Sequence, residues 1–332
     1  MPDHFAVSYN TPSFVTGCSG GSFTYVGQKF FYSTAPIITV TAQNASNGTT
    51  LDYSGTTLWQ ITSSTLTSKS YTSAIGSLDP TGITGTDPVI RYNGDGLANA
   101  PSPGQGRLEF SSGTGLFFTR STPVAPFNAE ISLSINVADA DGIAYASNPA
   151  RFGQASAGNG IAFSSGKEMR FGRLAIKNAN GSQLVPLPVL VEAQYAVAAG
   201  AGTVFVTNKD DSCTSLANTN IAMSGFTQNL SACETAITGA GALSSGRAKL
   251  ILPAPGNANN GSVLLTANLS SPASGTTCTS VGGGTVSATA ANSGYLRGNW
   301  AGSSTYADDP SARATFGTFK GSDEVIYMRE NF

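Results

Sequence analysis

The clearest signal in the chain is strict alternation of apolar and polar positions. Over residues 127–137, Ala129, Ile131, Leu133, Ile135 and Val137 share one face, and Glu130, Ser132, Ser134 and Asn136 share the other. That pattern predicts a strand buried on one side and solvated on the other. Residues 36–42 alternate in the same way, with Ile38, Val40 and Ala42 opposite Ile37, Thr39 and Thr41. Residues 169–213 hold the longest ordered run. Leu174 and Ile176 opposite Arg173 and Lys177 predict a first strand, and Asn178-Ala179-Asn180-Gly181 predicts a turn. The Val- and Leu-rich stretch 184–195 predicts a second strand, on a sheet edge or at a bulge, because Pro186 and Pro188 lack N–H donors on one side. Gly200 and Gly202 then turn the chain into a third strand over 203–207, which closes in a polar loop ending at Cys213.

Further strands are predicted over 22–31, 58–61, 107–110, 115–118, 247–252 and 262–269, after the glycines of 282–284, and over 312–319 and 324–328. Clusters of Gly, Asn and Pro separate them. Residues 79–106 read mostly as loop, 138–168 lose the alternation and read as a connection, and 216–230 hold a short helix at most. Turn signals about 8–12 residues apart are those of all-β sandwiches. A chain of 332 residues exceeds the size at which one core stops growing. The expected fold is therefore all-β: two immunoglobulin-like or related antiparallel β-sandwich domains, with long Gly/Ser/Asn-rich loops and little helix. The domains are expected at 1–150 and 151–332, with the boundary inside 138–168.

Composition narrows the function classes. Charged residues are 11 % of the chain and the formal net charge is −2, with no Lys/Arg run to neutralise phosphates, which argues against a nucleic-acid partner. The 17 Phe and 11 Tyr supply a core, which argues against disorder. No stretch approaches the ~20 apolar residues of a membrane helix. The first residues, Met1-Pro2-Asp3-His4, lack the pattern of a signal peptide.

Candidate chemistry is sparse. His4 is the one histidine, so a nucleophile–histidine site would have to recruit the start of the chain, and no metalloprotease motif can be written. We expect no enzyme. Asp139 and Asp141, in Ala138-Asp-Ala-Asp-Gly142, resemble the start of an oxygen-rich Ca²⁺ loop without its distal glutamate. The alternative is a turn in which Asp hydrogen-bonds its own backbone. Asn93-Gly-Asp-Gly96, Asp210-Asp211 and Asp308-Asp309 are weaker versions of that pattern. The four cysteines, Cys18, Cys213, Cys233 and Cys278, form no CxxC and are disulfide candidates. Their closeness in sequence makes Cys213 with Cys233 the first pair to expect, leaving Cys18 with Cys278 or one or both of these free.

Two runs carry a family resemblance: FGRLAIKNANGSQLVPLPVLVEAQY over 171–195 and FVTNKDDSCTSL over 205–216. Shorter pieces add to it, namely Pro2-Asp-His-Phe5, FTYVGQ over 23–28, Tyr295-Leu-Arg297, DPSARATFG over 309–317 and IYMRENF over 326–332. The chain resembles the C-terminal region of MshQ-like proteins, which accompany the mannose-sensitive haemagglutinin (MSHA) type of type IV pilus. The resemblance spans essentially the whole chain and brings no catalytic residues. It implies a secreted, extracellular or bacterial-surface domain, exported as part of a longer precursor. Its implied role is cell adhesion or pilus biogenesis, with pilus or cell-surface proteins, or surface glycans, as partners. The alternative is a carbohydrate-binding module, for which Trp59, Trp300, Tyr295 and Tyr306 are the available aromatic side chains. Binding is expected in the loops 79–106 and 138–166, placed by a rigid scaffold.

Overall fold

A computed structural model describes residues 1–84, 88–303 and 305–317. The fold is all-β, and helix is confined to single turns such as Gly55–Leu58 and Thr81–Thr84. Most strand pairs are antiparallel. Short parallel pairs join Ser13–Phe14 to Ala162–Phe163, Phe23–Tyr25 to Glu168–Arg170, and Ala179–Gly181 to Ser311–Phe316. The chain divides into two compact units, one formed by 1–172 with 195–206 and the other by 173–194 with the chain from 207 onward. Among the described residues no helix is long and apolar enough to cross a membrane.

The first unit is a sandwich. One sheet orders His4–Tyr9, Ile37–Gln43, Gln105–Glu109 and Val89–Tyr92, and the other orders Ala150–Phe152, Ile131–Asn136 and Thr67–Ser73. Ile38, Val40, Ala42 and Leu108 of the first sheet are fully buried, as are Ile131, Leu133 and Ile135 of the second. Rings of Tyr9 and Phe110 meet Phe152 edge-on at 5.4 and 6.3 Å, which places the two apolar faces against each other. A cluster of Phe14, Phe30, Tyr32, Phe118 and Phe163 extends this core. The alternation over 36–42 appears as expected, with every second residue of Ile37–Gln43 buried.

Several expectations for this unit need correction. The run 127–137 is not one strand: Phe127–Asn128 pairs with Glu168–Arg170, and Ile131–Asn136 belongs to the sandwich. Its apolar face is buried throughout, but Glu130 and Ser132, expected outside, are buried too. Ser132 shares a hydroxyl hydrogen bond of 2.8 Å with Thr72, and Glu130 lies under a later loop. The strand Thr67–Ser73 escaped notice because TSKSYTS carries one apolar side chain, Tyr71. Residues 58–61 form no strand; Trp59 and Ile61 are core side chains following a helical turn. Residues 79–106 include the strand Val89–Tyr92, and 138–168 carry Ala150–Phe152 and Ala162–Phe163, both paired inside the first unit.

In the second unit Ala179–Gly181, Ser311–Phe316, Gly261–Ala267 and Ile221–Ser224 form one sheet in that order. Asn180 and Gly181, expected in a turn, are therefore in a strand. Arg247–Leu252 pairs with the first half of Leu187–Ala199, whose Leu190 carbonyl accepts the Lys177 N–H on its other side. That strand is thus not an edge strand. Pro186 precedes it and Pro188 is its second residue, where few ladder bonds are lost. Thr276–Cys278 pairs with Thr285–Ser287, the strand expected after the glycines. The strand expected over 312–319 is seen as Ser311–Phe316, and that over 324–328 lies outside the described residues.

Cys233 bonds to Cys278, not to Cys213 as expected. Cys18 and Cys213 are also disulfide-bonded, so none of the four is a free thiol. Nearness in sequence misled because Cys278 sits on a strand that folds back beside Cys233, their Cα atoms 5.3 Å apart across 45 residues. This geometry suits a disulfide.

The burial pattern yields a stability prediction. Leu133→Ala opens a cavity in a closed core and should cost about 2–5 kcal/mol, and Ser132→Ala should cost about 1 kcal/mol through its lost partner at Thr72. Denaturant melts check both; a silent Leu133→Ala would place that face outside the core.

Candidate binding site

The first unit contains a cavity of about 530 Å³ lined by Ala74, Ile75, Asn128, Glu130, Ala157, Gly158 and Lys167. It opens beside the strand Ile131–Asn136 and is roofed by the turn 154–160. In that turn Gln154 N–H donates to Asn159 O at 2.7 Å, and Asn159 N–H donates to Ser156 O at 3.0 Å. The turn is tied down by Glu130, whose Oε1 accepts the Gly158 N–H at 3.0 Å and whose Oε2 accepts the Gly160 N–H at 2.8 Å. Gly160 has to be glycine, because a Cβ there would stand 2.7 Å from the Glu130 Cα and from the Ile131 nitrogen. Gly158, at φ +81°, takes a backbone conformation that other residues resist.

Lys167 closes the site. Its Nζ donates to Glu130 Oε1 at 2.6 Å, and Glu130 is its one hydrogen-bond partner among the described residues. Burial alone would raise the Glu130 carboxyl; the Lys167 ammonium and the two glycine N–H groups outweigh it and hold the group below the usual carboxylate range. The carboxylate is thus ionised and nearly saturated, whereas the ammonium keeps two donors for other partners. Asn128 lends the cavity a carboxamide with no partner among the described residues, and Ile75, 53 % exposed, gives it an apolar wall.

The acids singled out in the sequence lie elsewhere. Asp139 is buried in the first unit: its Oδ1 accepts the Asp141 and Ile143 N–H groups at 3.0 and 2.9 Å, and its Oδ2 accepts the Tyr53 hydroxyl at 2.7 Å. Burial and this bond push the Tyr53 hydroxyl far up. The turn geometry is the self-bonded one, and among the described residues no three His, Cys, Asp or Glu side chains gather as a metal-binding group. Asp95 is taken by Arg91 at 2.6 Å and by the Leu97 N–H. Asp308 accepts the N–H groups of Trp300 and Ala301, and Asp309 accepts that of Leu269. His4 meets Asp3 and Gln43 and lies apart from the cavity.

Of the aromatic candidates, Trp59 is buried and stacked on Tyr92 at 5.7 Å, so it cannot meet a ligand. Trp300 is 38 % exposed in the second unit, with Arg173 over its ring at 4.7 Å. Tyr295 and Tyr306 are half-buried. Of the two loops expected to bind, 138–166 contributes Ala157 and Gly158 to the cavity, and none of the described residues of 79–106 lines it. Glu130 and Lys167 were missed because Glu130 follows the polar phase of a one-sided strand. The available signal was Gly158-Asn-Gly160, a turn able to present N–H groups to a carboxylate.

Glu192 is a further buried acid, in the second unit. Thr207 donates to it at 2.6 Å, Gln194 at 2.8 Å and Arg247 at 2.9 Å, and Lys177 stands 3.6 Å away. Burial opposes ionisation, yet these donors bring the carboxyl down to about 2. All of them belong to strands or strand ends, so the cluster fixes pairing.

These two sites belong to a charge-poor, disulfide-bonded, all-β pair of units whose buried acids serve loops and strand pairing. The chain matches the family model of the third domain of DUF6701 over residues 1–160 and that of the fourth domain over 170–331. Together these matches cover nearly the whole chain, which belongs to the DUF6701 family. No curated protein matches it.

Two tests follow. The Glu192 carboxyl lies below its unfolded value near 4.5, so its stabilisation is present above that value and lost as pH falls towards 2. Wild type should exceed Glu192→Gln in stability by up to about 3 kcal/mol at neutral pH, and the gap should close between pH 4.5 and 2. A gap independent of pH would refute the assignment. In thermal melts Asp139→Ala should lower the midpoint markedly while excess EDTA leaves the wild type unchanged. A midpoint that drops with EDTA would instead mark calcium at Asp139 and Asp141.

Proposed function

We propose that the chain is a non-catalytic extracellular β-module of a surface protein that works by presenting a binding surface. Its setting is the one implied by the resemblance to MshQ-like proteins: adhesion to, or assembly with, partners at the bacterial surface in association with a type IV pilus of the MSHA kind. The observation that carries this reading is the loop-roofed cavity of the first unit. Its charged groups neutralise each other, its roof is fastened to the sheet, and its remaining donors and apolar wall face outward, which suits holding a ligand rather than transforming one. The disulfide-bonded cysteines support an oxidising compartment outside the cytosol.

A carbohydrate-binding module of a secreted protein is the second reading. The exposed ring of Trp300, on a turn braced by Asp308, favours it.

Ala157→Lys, which fills the mouth of the cavity from the exposed tip of the turn and leaves the Gly158 and Gly160 anchors to Glu130 in place, should keep the midpoint of unfolding within a few degrees of the wild type and abolish attachment of bacteria displaying the protein. Attachment that survives this change with the fold intact would overturn the surface-presentation reading. Loss of polysaccharide binding in Trp300→Ala, with the turn 154–160 intact, would move the assignment to the second.

A further inference from the structure

We infer that the cavity of the first unit is a subsite for one neutral, hydroxyl-rich sugar ring of a surface glycan, an assignment that rests on the surface-presentation reading above. Three observations converge on this ligand class. The volume, about 530 Å³, lies within the range of small-molecule sites and admits a single substituted ring. The polar groups are those that hydroxyls need: two unused N–H donors on Lys167, and the donor and acceptor of the Asn128 carboxamide. Beside them Ala74, Ile75 and Ala157 form an apolar strip on which the C–H face of a sugar ring can lie.

Charge selects the neutral form. Glu130 stands 2.6 Å from the Lys167 ammonium, so an anion drawn to Lys167 meets a carboxylate directly behind it. A cation drawn to Glu130 finds that carboxylate buried and occupied by Lys167 and two backbone N–H groups. What remains at ligand distance is a dipole with free donors, which rewards hydroxyls more than net charge. The site is also pre-ordered, since the Glu130 bonds that fix the roof fix Lys167 as well, and binding then loses little conformational freedom.

The test is a titration of the intact chain followed by amide NMR. The probes are methyl glycosides of neutral hexoses and N-acetylhexosamines, with methyl glycosides of glucuronic and N-acetylneuraminic acid as the anionic arm. The expected result is saturable binding of a neutral probe with shifts confined to the neighbourhood of residues 74–75, 128, 157–158 and 167. Lys167→Met and Ile75→Ser should each weaken binding about tenfold, the worth of one lost hydrogen bond to a charged group or one apolar contact. Ile75 is largely exposed, so its exchange keeps the fold even where Lys167→Met does not, and Val286→Ser on the second unit should have no effect. No saturation by any neutral probe, saturation by the acidic probes alone, or binding indifferent to Ile75→Ser would overturn the inference. If the sugars fail but Ala157→Lys still abolishes attachment, surface presentation stands and the ligand class falls. If both fail, both fall.

Discussion

A carboxylate removed from water must be given donors by the protein, and this chain meets that demand with loops and, at Glu192, with neighbouring strands. Glu130, Asp139, Glu192 and Asp211 are all buried. Leaving any of them unpaired would cost several kcal/mol, so each position dictates what packs over it. Glu130 draws down Gly158 and Gly160, Asp139 folds its own turn against Tyr53, and Asp211 accepts the Cys213 and Thr214 N–H groups and the Thr214 hydroxyl. Glu192 gathers Thr207, Gln194 and Arg247 across neighbouring strands. In a chain with 11 % charged residues, ionised groups are placed less to solvate the surface than to fasten irregular segments to sheets.

This explains how long Gly-, Ser- and Asn-rich segments reside in an ordered fold. Such sequences have little apolar area with which to pin themselves, and their backbone N–H groups would otherwise face water. A buried acid converts those N–H groups into anchors. The cavity beside Glu130 is a by-product of that device: the turn that satisfies the carboxylate stands off the sheet far enough to leave a half-open pocket, and the lysine that neutralises the carboxylate supplies donors at its lining.

The parts of the fold legible in the sequence are those where apolar side chains alternate. Ile37–Gln43 and Arg247–Leu252 match the alternation closely, and the apolar face from Ala129 to Val137 is buried in full. Polar strands such as Thr67–Ser73 were invisible because their pairing is carried by the backbone and by hydroxyls, with Ser70 against Ser134 and Thr72 against Ser132. Loops could not be told from strands where Gly and Asn prevail, as at Ala179–Gly181, whose partner Ser311–Phe316 is far away in sequence. Cysteine pairing failed for the same reason, since it depends on which distant strands meet. The site was half legible: the segment 138–166 pointed to its roof, but a glutamate in the polar phase of a strand reads as solvated until the loop above it is known.

The central claim is that Glu130 holds the roof of the cavity through the Gly158 and Gly160 amides. Hydrogen exchange at these two amides, in the wild type and in Glu130→Gln, measures it directly. The account predicts slow exchange at both in the wild type and exchange faster by at least about tenfold in the variant, the worth of a hydrogen bond to a charged group, with the Ile38 and Leu133 amides unchanged. Equal exchange at Gly158 and Gly160 in the two proteins would contradict it.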